Sequence, residues 1–189
     1  MEDVAWDNIP FTPEMEALAR RADAVCFGSL VQRMASRESV LRFLRATRPE
    51  ALKVFDINLR QHYYSREVLE ESLKLADILK INDEEIRILA GMFGLKGSYE
   101  AVCRVLIDRY ALKLVILTKG AAGSEVITAG ETIPQPAGET QVVDTVGAGD
   151  SFTAAFVVAY LHGYSLSDAQ RLASDTAAYV CSCKGAMPE

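Results

Sequence analysis

The residues best suited to chemistry lie in segment 144–152, which reads DTVGAGDSF. The apolar run 141–143 before it predicts a short strand, and apolar residues at helical spacing across 152–160 predict a helix after it. Gly147 and Gly149 are therefore expected where a strand turns into a helix N-terminus. The first N–H groups of a helix lack partners inside it and lie at the positive end of its dipole, so this turn should attract an anion.

Asp150 adds a second chemical group to this turn. A carboxylate beside an anion site is unfavourable because the two negative charges repel, so its presence there suggests a function. One such task is to take the proton from an attacking hydroxyl while the turn stabilises charge on a transferred phosphoryl group. The alternative is an aspartate that only caps a helix after a glycine turn, which is a common feature. The short pattern G-x-G-D does not separate the two, whereas the full nine residues are much more specific.

The composition is that of a globular protein with 189 residues, half of them hydrophobic and 24% of them charged. The formal net charge of −6 argues against nucleic acid or an anionic membrane as the main partner. The chain carries no signal peptide pattern and no apolar run long enough to span a bilayer, so we expect a cytoplasmic protein. The four cysteines form no C-x-x-C pair, which favours reduced thiols over a zinc site.

Short apolar strands alternate with helical patterns along the chain, which predicts a mostly parallel sheet covered on both faces. The strands are expected at 24–27, 52–58, 76–81 and 114–118, and 124–128 with 131–136 is expected to form a hairpin. Ligands in such sheets bind beyond the carboxyl ends of the strands. The residues expected there are Asn58, Arg60, Asn82, Glu85, 118–123 and 147–150.

Each of these residues also has a plain structural explanation. Arg60 can hold a phosphate with its planar fork or lie solvated at a strand end. Asn82 is a natural helix cap, and an acidic first turn that includes Glu85 is common. The glycines of segment 118–123 can admit a nucleotide or simply form a turn. No G-x-x-x-x-G-K-[ST] motif occurs, so the chain is not a P-loop protein.

Segment 144–152 resembles the C-terminal motif of the PfkB/ribokinase family of sugar kinases. Three other segments resemble motifs of the same family: 56–60 its D-x-N-x-R, 82–85 its N-x-x-E and 118–123 its T-x-G-x-x-G. The resemblance implies a three-layer α/β/α, Rossmann-like and ribokinase-like fold. It also implies ATP-dependent phosphorylation of a sugar hydroxyl, with Asp150 as general base.

The resemblance implies further roles for individual residues. Gly147, Ala148 and Gly149 would form the anion hole, with Arg60 near the phosphates and the acceptor sugar. Contacts with ATP are implied for Asn58, Asn82, Thr118, Gly120, Gly123 and Ser174. Asn82 and Glu85 would help to position Mg²⁺ through water, and a monovalent cation such as K⁺ would contact Asp144, Val146, Cys181 and Gly185.

A complete family member is considerably longer and begins with a sugar-binding half that includes a lid. We therefore expect residues 1–189 to form a single nucleotide-binding and catalytic domain, the C-terminal portion of a kinase. Such a domain should expose apolar surface and self-associate, and alone it should bind ATP weakly without phosphorylating sugar.

Fructokinase-type members are the ones that this chain resembles most, in three segments: 27–30, 56–60 and 184–189. Ribose, adenosine and 2-keto-3-deoxygluconate are the alternative substrates. The alternative function is a non-catalytic nucleotide-binding or scaffolding module of the same fold. A Rossmann dehydrogenase is disfavoured because no G-x-G-x-x-G follows an early strand.

Overall fold

The computed structural model describes residues 4–138 and 140–188. Within them, six strands form one mostly parallel sheet in the order β1-β2-β3-β4-β5-β6, in a three-layer α/β/α architecture as the sequence predicted. The strands are β1 (Ala24–Phe27), β2 (Leu52–Asp56), β3 (Ile78–Asn82), β4 (Leu114–Thr118), β5 (Ser124–Ile127) and β6 (Thr132–Gln135). The α-helices are α1 (Pro13–Ala19), α2 (Ser36–Ala46), α3 (Arg66–Leu75), α4 (Asp83–Phe93), α5 (Tyr99–Tyr110), α6 (Ala148–Leu161) and α7 (Leu166–Cys181).

The strand pairing follows the alternation of strands and helices in the sequence. β1 pairs with β2 and β2 with β3, both in parallel, whereas β5 and β6 form the expected antiparallel hairpin. β3 and β4 are buried along almost their whole length, since only their last residues are partly exposed. Burial along the whole length of a strand is typical of strands that helices cover on both faces.

Several helices begin at the side-chain caps that the sequence predicts, which are Thr12 before Pro13, Ser65, and either Ser165 or Ser167. The hydroxyl oxygens of Thr12, Ser65 and Ser165 each accept a hydrogen bond from the N–H three residues later. Each bond satisfies one of the donors that a helix N-terminus leaves without an intrahelical partner. Local chemistry therefore sets where α1, α3 and α7 begin.

The chain divides into two compact units, Met1–Val115 and Ile116–Glu189, called here the N-terminal and C-terminal units. In the N-terminal unit, α3 and α4 bury Leu69, Leu73, Ile86 and Leu89 completely. In the C-terminal unit, α6 and α7 bury Phe156, Ala169 and Ala173. The assignment of all 189 residues to one domain stays a prediction.

The prediction of a strand at 141–143 is wrong. Val142 and Val143 are 60% and 52% exposed and lie outside any strand. The N–H of Val143 instead donates to the carbonyl of Cys181 at 2.8 Å, at the C-terminal end of α7. A three-residue apolar run becomes a strand only where a neighbouring strand completes its hydrogen bonds, and here a helix end supplies the acceptor.

Two element ends also differ from the prediction. Helix α1, which the Thr12 cap and the following pattern predict to run to about Ala22, ends at Ala19, and strand β2 ends at Asp56 instead of Asn58. The second difference has a clear cause, because Asn58 has a φ of +42°. This left-handed conformation is incompatible with a continuing strand, and asparagine tolerates it better than most residues.

Candidate active site

The segment Asp56–Arg60 begins at the last residue of β2 in the N-terminal unit and is held by hydrogen bonds from two sides. Ser29 donates its N–H to the Ile57 carbonyl and its hydroxyl to the Asn58 carbonyl, both at 3.3 Å. The N–H of Ile57 donates to the carbonyl of Lys80 at 3.1 Å. These contacts hold the positive φ of Asn58, which few residues adopt without such support.

Asp56 forms an ion pair with Lys80 of β3, and the ammonium nitrogen lies 3.0 Å from Oδ2. The two side chains are only 11% and 15% exposed, so most of the pair is withdrawn from water. The lysine thus balances the carboxylate at the start of the segment. Desolvation of the thiol, and next the charge of Asp56, raises the pKa of Cys26, although the residue as a whole is exposed.

Asn82 caps α4 in a reciprocal arrangement with Glu85. Oδ1 of Asn82 accepts the N–H groups of Glu84 and Glu85 at 3.0 and 2.8 Å, and Oε2 of Glu85 accepts the N–H of Asn82 at 3.0 Å. Oε1 of Glu85 accepts the N–H of Leu59 at 2.9 Å. The predicted cap is therefore present, and Glu85 joins it to the segment after β2.

The chemistry of Asn82 and Glu85 is compatible with a magnesium ion held mainly by water and phosphate oxygens. Both oxygens of Glu85 already accept an N–H group, and the residue is only 5% exposed, so any metal contact would run through water. In the ranges 4–138 and 140–188, no cluster of three or more His, Cys, Asp or Glu side chains offers a protein-built metal cage. The magnesium role stays a prediction.

Arg60 lies at the surface at the end of the segment. Its Nη1 donates to the carbonyl of Leu59 at 3.2 Å. This bond restrains the guanidinium near the backbone and leaves other N–H groups of the fork for an anion.

In the C-terminal unit, α6 begins directly after the glycine turn, as the sequence predicted. Gly147 is the N-cap residue with φ +83°, and Asp150 lies in the first turn. Ala148 donates its N–H to the Thr145 carbonyl at 3.3 Å and Ser151 donates to the Gly147 carbonyl at 2.8 Å. The N–H groups of Gly149 and Asp150 come between them, where a helix has no acceptor of its own. This geometry suits an anion.

Gly147 is also in close contact with the C-terminal tail. A Cβ at position 147 would lie 2.7 to 2.8 Å from the Cβ, Cα and carbonyl oxygen of Ala186. Glycine is therefore required at position 147 both because φ is positive and because Ala186 packs against it. Asp150, in contrast, is exposed, so its carboxylate is open to an acceptor hydroxyl.

The two predicted nucleotide-binding glycines after β4 differ in their surroundings. Gly123 has φ +87°, and a Cβ there would lie 2.1 Å from the carbonyl oxygen of Gln135, so the packing of β6 alone demands glycine. Gly120 has φ +53° and no heavy atom within 4 Å of a Cβ position. The open face at Gly120 can admit a ligand, and Thr118 precedes it as the last residue of β4.

The four residues predicted to bind a monovalent cation do lie together around Asp144. Oδ1 of Asp144 accepts the N–H of Val146 at 3.0 Å, and Oδ2 accepts the N–H of Gly185 at 3.1 Å. The Cys181 carbonyl accepts the N–H groups of Val143 and Asp144 at 2.8 and 3.2 Å. Its lone pairs are therefore engaged, so this carbonyl fits a cation ligand less well than the other oxygens.

The hydrogen bond from the Val146 N–H, followed by that from Gly185, lowers the pKa of Asp144. Asp144→Asn is therefore expected to lower the free energy of unfolding at neutral pH. The carboxylate contributes in full above its unfolded-state pKa of about 3.9, and this contribution is lost as the pH falls through the lower, folded-state pKa. Urea unfolding of both proteins at about pH 7 and about pH 3 should show a smaller difference in acid. An equal difference at both pH values would contradict this account.

Ser174 lies on α7 and is buried, with 8% of its surface exposed. Its nucleotide role stays a prediction. Sequence reasoning did not predict that Lys80, Ser29 and Ala186 hold the two candidate segments. Lys80 had a usable signal, since a lysine inside the apolar strand sequence ILKIN predicts a buried partner.

A kinase that transfers a phosphoryl group to a small hydroxyl compound is the class that this fold and these segments fit. The chain belongs to the pfkB family of carbohydrate kinases, whose model matches residues 3–189. No helix among the described residues is long and apolar enough to cross a membrane.

The chain is 32% identical over 193 residues to 5-dehydro-2-deoxygluconokinase of Halalkalibacterium halodurans, with 96% of this chain and 56% of that protein covered. It is 30% identical over 145 residues to a fructokinase of Escherichia coli, with 70% and 46% covered. It thus spans about half the length of these curated relatives.

Solved structures of the same family resemble this fold. Aminoimidazole riboside kinase from Salmonella enterica, in complex with aminoimidazole riboside and an ATP analogue, superposes with a TM-score of 0.75 at 28% identity. That alignment covers 89% of this chain and 59% of the other.

Proposed function

We propose that the protein acts in the ATP-dependent phosphorylation of a sugar hydroxyl. The observation that carries the proposal is the turn at the start of α6. It combines a left-handed Gly147, first-turn N–H groups without intrahelical acceptors, and the exposed carboxylate of Asp150. An anion site beside a base is what phosphoryl transfer to an alcohol requires.

In this proposal Asp150 takes the proton from the acceptor hydroxyl. The N–H groups of residues 147–150 stabilise the charge of the transferred phosphoryl group, and that of Ala148 must first leave its 3.3 Å hydrogen bond to the Thr145 carbonyl. Arg60, in the N-terminal unit, binds phosphate oxygens with its guanidinium fork. Proton removal and charge stabilisation are thus assigned to different groups of the protein.

Nucleotide contacts are proposed for Asn58, Asn82, Thr118, Gly120, Gly123 and Ser174. Gly120 has the best structural support, because the space beside its Cα is open to a ligand. The need for glycine at 123 is already explained by packing against Gln135. When bound, Mg²⁺ neutralises charge on the phosphates, and Asn82 and Glu85 would orient its water ligands. Asp144, Val146, Gly185 and Cys181 would hold K⁺ near the glycine turn.

Fructose or a related sugar is the proposed acceptor. The 30% identity with a fructokinase and the fructokinase-like segment 56–60 support it, while the aminoimidazole riboside and 5-dehydro-2-deoxygluconate kinases show how widely acceptors vary among relatives. We further propose a cytoplasmic location and self-association. ATP and the sugar are the proposed partners.

Isothermal calorimetry is expected to show binding of ATP–Mg²⁺ and no binding of NAD. The N-cap turn of α6 and the open face at Gly120 suit a phosphate chain, whereas the chain has no early G-x-G-x-x-G turn for a dinucleotide. Tight NAD binding without ATP binding would overturn the kinase proposal.

The companion assay measures ADP release from the longest polypeptide that contains these residues, with a panel of sugars. Release that depends on fructose supports the proposed acceptor, and release with another sugar corrects it. ATP binding without sugar-dependent ADP release would favour the non-catalytic nucleotide-binding module.

A further inference from the structure

We propose that Glu85 is a positioning residue that acts through the Leu59 backbone to hold the guanidinium of Arg60. The inference rests on the proposed function of Arg60 in phosphate binding. It assigns to Glu85 a task that needs no contact with metal or phosphate.

The connection runs through a single residue. Leu59 donates its N–H to Oε1 of Glu85 at 2.9 Å, and its carbonyl accepts Nη1 of Arg60 at 3.2 Å. The orientation of Leu59 therefore sets the direction in which the Arg60 fork is held. Any movement of Leu59 away from Glu85 also moves the acceptor of the Arg60 bond.

Glu85 is well fixed for this task. It lies in the first turn of α4 and is 5% exposed, and its second oxygen accepts the N–H of Asn82 at 3.0 Å. Leu59 is also buried, so no water competes for the hydrogen bond between them. One carboxylate thus ties the cap of α4 to the segment after β2.

The segment needs such support because of its backbone conformation. Asn58 and Gln61 have φ values of +42° and +49°, and non-glycine residues persist there only when the surrounding structure holds them. Ser29 holds the Asn58 carbonyl on one side. Glu85 holds the N–H of the same peptide group on its other side, and without this bond the chain can relax toward commoner φ values.

Glu85→Gln tests this role, because glutamine offers one acceptor oxygen and keeps only one of the two backbone contacts. We expect the Leu59 amide to exchange its hydrogen roughly tenfold faster than in the unaltered protein. Glu84→Gln is the matched control, since Glu84 is an exposed acid in the same helical turn. It should leave Leu59 exchange unchanged.

Should Glu85→Gln fail to fold, Glu85→Asp shortens the side chain and serves instead.

A double-mutant cycle with Arg60→Met separates positioning from general loosening. Glu85→Gln should weaken ATP–Mg²⁺ binding about three- to tenfold where Arg60 is present and scarcely at all in the Arg60→Met background. Any change in the magnesium concentration for half-maximal binding would report the proposed orientation of Mg²⁺ water ligands by Glu85, and it should be the same with and without Arg60. Additive effects of the two substitutions would overturn the proposal, as would Leu59 exchange that is unchanged in both Glu85→Gln and Glu85→Asp. Failure of the unaltered protein to bind ATP would overturn the proposed function, while Leu59 exchange would still test the contact.

Discussion

Replacing Asp150 with asparagine is expected to lower kcat by roughly a hundredfold or more while ATP affinity changes little. Asparagine keeps the size and exposure of the side chain in the first turn of α6, but it cannot take the proton from the acceptor hydroxyl. The N–H groups that are proposed to stabilise the phosphoryl group belong to the backbone and stay in place. Loss of turnover without loss of binding is therefore the expected pattern.

The measurement compares kcat and the ATP dissociation constant in the longest polypeptide that contains these residues. Asp168→Asn makes the same chemical change in the first turn of α7, where the side chain is also exposed, and is expected to leave kcat unchanged. Near-normal turnover in Asp150→Asn would refute the role of general base. Equal losses in both variants would point to a general effect of removing surface charge.

Gly147→Ala is expected to lower the free energy of unfolding by about 3 kcal/mol. One part of the cost is the φ of +83°, which alanine adopts poorly, and the other is a Cβ within 2.8 Å of Ala186 atoms, two of them backbone. The tail must move away to admit the methyl group. Because the same turn is the proposed anion site, ATP affinity should fall as well.

Gly163→Ala is the matched control for the first part of this cost. Gly163 has φ +78°, but no heavy atom lies within 4 Å of its Cβ position. Its substitution should cost about 1 kcal/mol, from backbone conformation alone. Urea unfolding of both variants measures the difference, and equal costs would show that the contact with Ala186 contributes nothing.

Clashes of this kind show why glycines that look alike in the sequence need different explanations. Gly120 and Gly123 belong to one sequence motif, yet only Gly123 lies against another segment of backbone. The motif therefore combines a residue that builds the hairpin with one whose face is open to a ligand. A substitution at Gly123 would report on folding before it reported on nucleotide binding.

The amino-acid sequence by itself determined the type and order of the strands and helices described above, although it also predicted a strand at 141–143 that does not form. Alternating apolar strands and helical patterns predicted a sheet covered on both faces. Thr12, Ser65 and either Ser165 or Ser167 predicted helix starts, because periodicity and capping depend on residues close together in the chain. The nine-residue motif likewise placed Gly147 at the N-terminus of α6. These features need no knowledge of distant contacts.

Only the tertiary structure decided what holds the candidate residues. The Glu85–Leu59 bond, the Lys80–Asp56 pair and the contact of Ala186 with Gly147 join residues 24 to 39 positions apart. A long-range contact also explains why 141–143 is not a strand, because the N–H of Val143 donates to the Cys181 carbonyl at the end of α7. Local patterns cannot predict such contacts, because their energies depend on which surfaces the folded chain brings together.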